Sequence, residues 1–93
     1  MDLITKFIML HSEGRSKPIC GSRIAAAFGV NGIEVRRLVN VARCNGDPIC
    51  SNGKGYYIAS GEEELQRTID SLDGRIAVMT NARDGLKRCL QKM

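Results

Sequence analysis

Three arginines and an asparagine, Arg36, Arg37, Asn40 and Arg43, fall close together in the stretch Gly21–Cys44, GSRIAAAFGVNGIEVRRLVNVARC. Arg can bond guanine bidentately and Asn can do the same with adenine. Such side chains read base edges in a DNA major groove, provided that one helix holds them on an open face. Ahead of them stand Gly32, where a backbone can come close to a surface, and Ile33, an apolar group suited to a thymine methyl. Ser22, Arg23 and Asn31 add hydroxyl, guanidinium and amide groups of the kind that hold phosphate, together with helix N-terminal N–H groups. Glu34 repels phosphate, so its expected place is a helix cap or an acceptor for cytosine. Taken singly, Arg36 and Arg37 are also what any solvated helix face carries.

Other chemistry is sparse. His11 is the single histidine and has no Ser or Cys partner in sequence reach. The cysteines Cys20, Cys44, Cys50 and Cys89 have no C-x-x-C spacing, and one histidine cannot complete a Cys/His zinc set. They read as free thiols of a reducing compartment. The run Glu62-Glu63-Glu64 reads as a helix N-terminus, where the dipole favours acidic residues. The expectation is a non-enzyme with no metal and no cofactor.

The elements that must position the arginines follow from local signals. Ser22 or Gly21 starts a helix whose inward residues are Ile24, Ala25 and Phe28. Gly29 sits where a helix ends in a left-handed residue, and Val30 is an apolar plug between two helices. Asn31 is an N-cap with Glu34 three residues on, the pattern of a capping box. Val35, Leu38, Val39 and Ala42 form the apolar stripe of this second helix, which leaves the arginines on its other faces. Upstream, Leu3, Ile4, Phe7 and Ile8 predict a helix capped by Asp2, and Pro18-Ile19-Cys20 a short extended segment. Downstream, Asn52-Gly53-Lys54-Gly55 is a turn between the β-prone runs Pro48–Ser51 and Tyr56–Ala59, a hairpin signal. Lys54 at its tip can lie against phosphate.

Residues 60–93 predict one long helix, opened by a capping box in Ser60-Gly61-Glu62-Glu63. Leu65, Ile69, Leu72, Ile76, Met79, Leu86 and Leu90 follow a heptad repeat, with Arg83 in the remaining position. This seam is long enough to pair two copies of the chain. The alternative is that it folds back over Leu3, Phe7 and Ile8. Gly74 and Gly85 lie off the seam, and a kink near Asp73-Gly74 is compatible with the pattern.

The 93 residues carry a net charge of +4, all of it in the first part. Residues 1–59 hold eight basic and four acidic groups, whereas residues 60–93 hold six of each. Clustered positive charge is the electrostatic footprint of phosphate binding. An ordinary solvated basic face is equally compatible with the charge alone. No stretch approaches the roughly 20 apolar residues that span a bilayer, and Met1-Asp2 does not open a signal peptide, so a cytoplasmic protein is expected.

The order helix, extended segment, helix, turn, helix, hairpin resembles the winged helix-turn-helix superfamily. Gly53-Lys54-Gly55-Tyr56-Tyr57-Ile58 is similar to the wing of the N-terminal domain of biotin operon repressors, in which a Gly-x-Gly-Tyr run closes the wing and its aromatic packs on the core. No ligase domain accompanies it, so no biotin chemistry is implied. A winged helix plus one long helix also resembles small phage or mobile-element regulators. The expected fold is therefore mainly α with a small β-hairpin wing (α+β). It consists of a winged helix-turn-helix domain over 1–59 and a dimerisation coil over 60–93. The expected function is sequence-specific binding of double-stranded DNA by a small homodimeric regulator that represses by occlusion. The expected DNA contacts are Ser22, Arg23, Asn31, Gly32, Ile33, Arg36, Arg37, Asn40, Arg43 and Lys54. The alternative is a protein-interaction module, such as a phage-encoded inhibitor of a host protein or nucleoprotein enzyme.

Overall fold

The computed structural model describes residues 1–93 as four helices and one hairpin. The order is α1 (Leu3–His11), α2 (Gly21–Phe28), α3 (Gly32–Cys44), β1 (Ile49–Asn52), β2 (Gly55–Ile58) and α4 (Glu62–Gln91). The class is mainly helical α+β. One core, formed by Ile4, Ile8, Ile19, Ile24, Val35, Val39, Ala42 and Ile49, joins α1, α2, α3, β1 and the segment before α2. Nearly all of it is β-branched, which suits a small core that must be rigid without aromatic bulk. Phe7 and Phe28 close one side, with ring centroids 5.3 Å apart.

Local chemistry explains the turn between α2 and α3. Gly29 adopts φ +66°, and the N–H groups of Gly29 and Val30 donate to the carbonyls of Ala26 and Ala25. This pairing satisfies the last carbonyls of α2 and reverses the chain within three residues. Asn31 then caps α3, its side chain accepting from the Glu34 N–H at 2.9 Å. Only half of the expected box forms, because the Glu34 carboxylate turns to Arg37 instead.

The hairpin pairs Ile49 with Ile58 and Asn52 with Gly55, around the two-residue turn Gly53-Lys54. Neither turn residue has positive φ, so Asn52-Gly53 does not form the centre of a mirror-image turn. Instead Asn52 accepts from the Lys54 and Gly55 N–H groups at 2.9 and 3.2 Å, a side-chain replacement for backbone turn bonds. Ile19 extends the sheet: its N–H donates to the Tyr56 carbonyl and its carbonyl accepts from the Tyr56 N–H, both at 2.8 Å. The extended segment expected at Pro18–Cys20 is thus the third, single-bridge edge of the hairpin.

Three expectations are corrected. Leu3 is not in the stripe of α1: it is 75% exposed, and Thr5 is buried in its place. A buried Thr is tolerable there because its hydroxyl donates to Asp47 at 2.6 Å. Asp2 stands at the N-cap of α1, but its side chain makes no cap bond; its N–H donates to the same Asp47 carboxylate. The box at the start of α4 is displaced by one residue. Gly61 is the N-cap, and the Ser60 N–H and hydroxyl both donate to Glu64 at 2.7 Å.

α4 runs unbroken through Gly74 and Gly85, about 45 Å for its 30 residues. It meets the domain mainly through β1, with Thr68 as its buried residue, while α1 packs on α2, α3 and β2. The seam does not fold back over Leu3, Phe7 and Ile8: Leu86 and Leu90 are each 72% exposed. The second half of α4 projects from the domain, and the molecule is 53 Å long and 23 Å thick. No helix is long and apolar enough to cross a membrane.

Candidate functional site

Val35, Val39 and Ala42 anchor α3 in the core, and this fixes where its other residues point. Gly32, Ile33, Arg36, Arg37 and Asn40 are all exposed. Arg36 and Arg37 nevertheless face different surroundings, because adjacent helix residues diverge by about 100°.

Arg36 opens onto a cleft of about 590 Å³ lined by the N-terminus of α2, the start of α3, the hairpin tip and Arg75 of α4. Ser22, Gly32 and Lys54 line the same cleft, with Tyr56 among its walls. A second cleft of about 280 Å³ continues between α3 and α4, lined by Arg36, Asn40, Arg43, Leu72, Arg75 and Ile76 among others. The two share Arg36, Ser51, Tyr56 and Arg75, and no carboxylate lines either one. Arg36, Lys54 and Arg75 make no ion pair within the chain. Their charges are therefore uncompensated, and an anion entering the trough meets attraction from three sides.

Arg37 is placed differently. Its Nε donates to both carboxylate oxygens of Glu34, at 3.0 and 2.9 Å, and the pair lies by a third groove on the far side of α3. The guanidinium holds the Glu34 carboxyl below its ordinary range and is itself raised by it. Any external anion must compete with Glu34 for this arginine.

Arg43 is half-buried and engaged. Its Nε donates to the Ile49 carbonyl at 2.9 Å and its Nη2 to the Ser51 hydroxyl at 3.1 Å. Burial lowers its pKa, and the nearby Arg75 charge acts in the same direction. The side chain staples the end of α3 to β1 and contributes charge to the floor of the trough. Arg23 is exposed on α2 and lines neither cleft. Asn31 uses its side-chain oxygen as a cap, with the amide nitrogen left over. Ile33, 72% exposed, stands at the open end of α3.

Cys20 precedes α2 and lines the first cleft, its sulfur 3.2 Å from the Ser22 hydroxyl. That hydroxyl, together with the Arg23 N–H, lowers the thiol pKa. All four cysteines are free, and no group of His, Cys, Asp or Glu is arranged to hold a metal ion.

The seam on α4 divides. Leu65 and Ile69 are exposed; Leu72, Ile76 and Met79 line the second cleft. Leu86 and Leu90 are free, and Arg83 pairs with its neighbour Asp84 at 2.9–3.1 Å. Sequence reasoning missed Arg75. Its only local signal is a flanking position beside the seam, and its relevance depends on the path of α4 past α3. Comparison with family models, with curated proteins and with solved structures finds no match to this chain.

Proposed function

We propose that the chain is a winged helix-turn-helix protein that binds double-stranded DNA sequence-specifically as a small homodimeric regulator. α3 is the recognition helix and the β1–β2 hairpin the wing. The observation that carries this reading is the acid-free trough along α3, in which Arg36, Asn40 and Lys54 stand unpaired. Arg36 and Asn40 supply base readout, and Ser22 and Lys54 supply phosphate contacts. Gly32 and Ile33 let the open end of α3 approach the groove. Arg37 and Arg43 have lesser roles, since each already has protein partners. Pairing of Met79, Leu86 and Leu90 with a second copy sets two domains on a two-fold site, so that the bound dimer represses by occlusion in the cytoplasm.

The test is selection of a binding site from random duplexes, followed by titration of Arg36→Ala. A loss of about 1–3 kcal/mol with relaxed preference at one base pair is expected. Unchanged affinity and unchanged salt dependence overturn the reading. Dimerisation is read separately by mass in solution: Leu86→Asp/Leu90→Asp should reduce a dimer to a monomer, and a monomeric wild type removes the two-fold site.

The second reading is a protein-interaction module, such as a phage-encoded inhibitor of a host protein or nucleoprotein enzyme. It draws on a groove of about 610 Å³ between α1 and α3, lined by Leu3, Phe28, Val30, Leu38 and Val41. Failure to be retained on DNA-cellulose at moderate salt, with capture of a host protein that Val41→Asp abolishes, favours it.

A further inference from the structure

We infer that α4 is itself a nucleic-acid-contacting element, and that Arg75 grips the sugar–phosphate backbone of the strand lying against α3. The inference rests on the DNA-binding reading and concerns which elements hold the DNA. The seam alone assigns α4 to self-association. The fold adds something the seam does not contain. Docking of α4 on β1 through Thr68 turns the Arg75 side of the helix toward α3. Arg75 then lines both clefts together with Arg36, and Lys54 lines the first.

Three features select an extended phosphodiester over a compact anion. The clefts run into one another, so the site is a trough and not a closed cup. The cations come from three elements and none is neutralised, which suits successive phosphates better than one. The Ser22 and Ser51 hydroxyls line the same trough and offer neutral donors of the kind that accompany arginine on phosphate. An exposed Arg with no partner in the chain has no structural task to explain its position.

The experiment uses the full chain and a fluorescein-labelled mixed-sequence duplex, followed by anisotropy as a function of salt. Arg75→Ala should reduce the slope of log affinity against log salt by about 0.9, the value for one phosphate contact. The affinity advantage of wild type over the variant should then shrink about threefold between about 50 and 200 mM salt. Arg75→Lys should restore the slope, because a phosphate contact needs charge more than geometry. The melting temperature and mass in solution should not change, since Arg75 makes no bond within the chain. Arg36→Ala, measured alongside, tests the underlying reading. If wild type binds duplex and Arg36→Ala weakens it while Arg75→Ala keeps the wild-type slope, α4 does not touch the strand and the inference falls alone. If Arg75→Ala weakens binding only together with a changed mass, the residue acts through self-association and the inference again falls. If wild type binds polyglutamate but no duplex, the trough serves an acidic protein, and both readings fall together.

Discussion

Replacing Gly55 by Ala should unfold the hairpin edge, and its cost can be worked from distances. A Cβ built on Gly55 lies 2.3 Å from the Ile19 carbonyl oxygen, 2.6 Å from its carbon and 2.9 Å from the Cys20 nitrogen. All three are backbone atoms, so no side chain can rotate away. Gly55 also has φ +152°, a region open to glycine and strained for any other residue. To admit the methyl, β2 must retreat from the segment before α2. That breaks the paired Ile19–Tyr56 bonds, each 2.8 Å in the native fold. Two such bonds contribute about 2 kcal/mol net, and backbone strain adds about 1–3 kcal/mol. A loss of about 3–5 kcal/mol is a large share of the 5–15 kcal/mol typical of a whole domain. For a chain this size it lowers Tm by more than about 10 °C. Gly53→Ala is the control, because nothing lies within 4 Å of its Cβ and its φ is not positive; its effect should stay within about 0.5 kcal/mol. The assay is thermal and urea unfolding followed by circular dichroism. A Gly55→Ala protein within about 1 kcal/mol of wild type, or equal losses at both glycines, refutes the close-approach argument.

Arg43→Met keeps much of the side-chain stem and removes both staple bonds, so it should cost about 1–2 kcal/mol in urea unfolding and speed hydrogen exchange in β1; unchanged exchange there argues against the staple. Thr68→Val removes a buried hydroxyl that has no hydrogen-bond partner and should be neutral or stabilising by up to about 1 kcal/mol; a clear loss means that the hydroxyl is satisfied. Asp47 accepts from the Thr5 hydroxyl and the Asp2 N–H, which hold its pKa below the ordinary value. Its stabilisation is therefore full above the unfolded-state pKa of about 3.9 and is lost as pH falls through the lower folded value. Asp47→Asn should flatten that acid limb relative to wild type, with Glu34 and Glu64 supplying the same background in both proteins; identical acid limbs rule out the linkage.

Much of the fold was legible because its signals act within a few residues. Gly29, Val30 and Asn31 specify the turn before α3 through a left-handed glycine, a plug and a cap, none of which needs a distant partner. The stripe Val35, Val39 and Ala42 fixes the buried face of α3 by period alone. The hairpin falls where the β-prone runs and the intervening turn placed it. The long helix expected over 60–93 is continuous from Glu62 to Gln91.

Side-chain destinations were not legible, because they depend on groups far along the chain. Leu3 lost its expected place to Thr5 because Asp47, 42 residues away, satisfies the buried hydroxyl. Arg43 has the same local pattern as Arg36, yet its guanidinium meets the Ile49 carbonyl and Ser51 when β1 turns back along α3. The pattern Gly-x-Gly-Tyr marks a hairpin end, but the need for glycine at 55 arises from the Ile19 carbonyl across the sheet. Thr68 gives no hint in the sequence that it, and not a seam leucine, is the buried residue of α4. That docking brings Arg75 into the same clefts as Arg36. The sequence by itself therefore determined the elements and the basic character of α3, since period, caps and turns are set locally. Tertiary packing decided which cations remain unpaired and share a trough, since that depends on where distant backbone carbonyls and carboxylates come to rest.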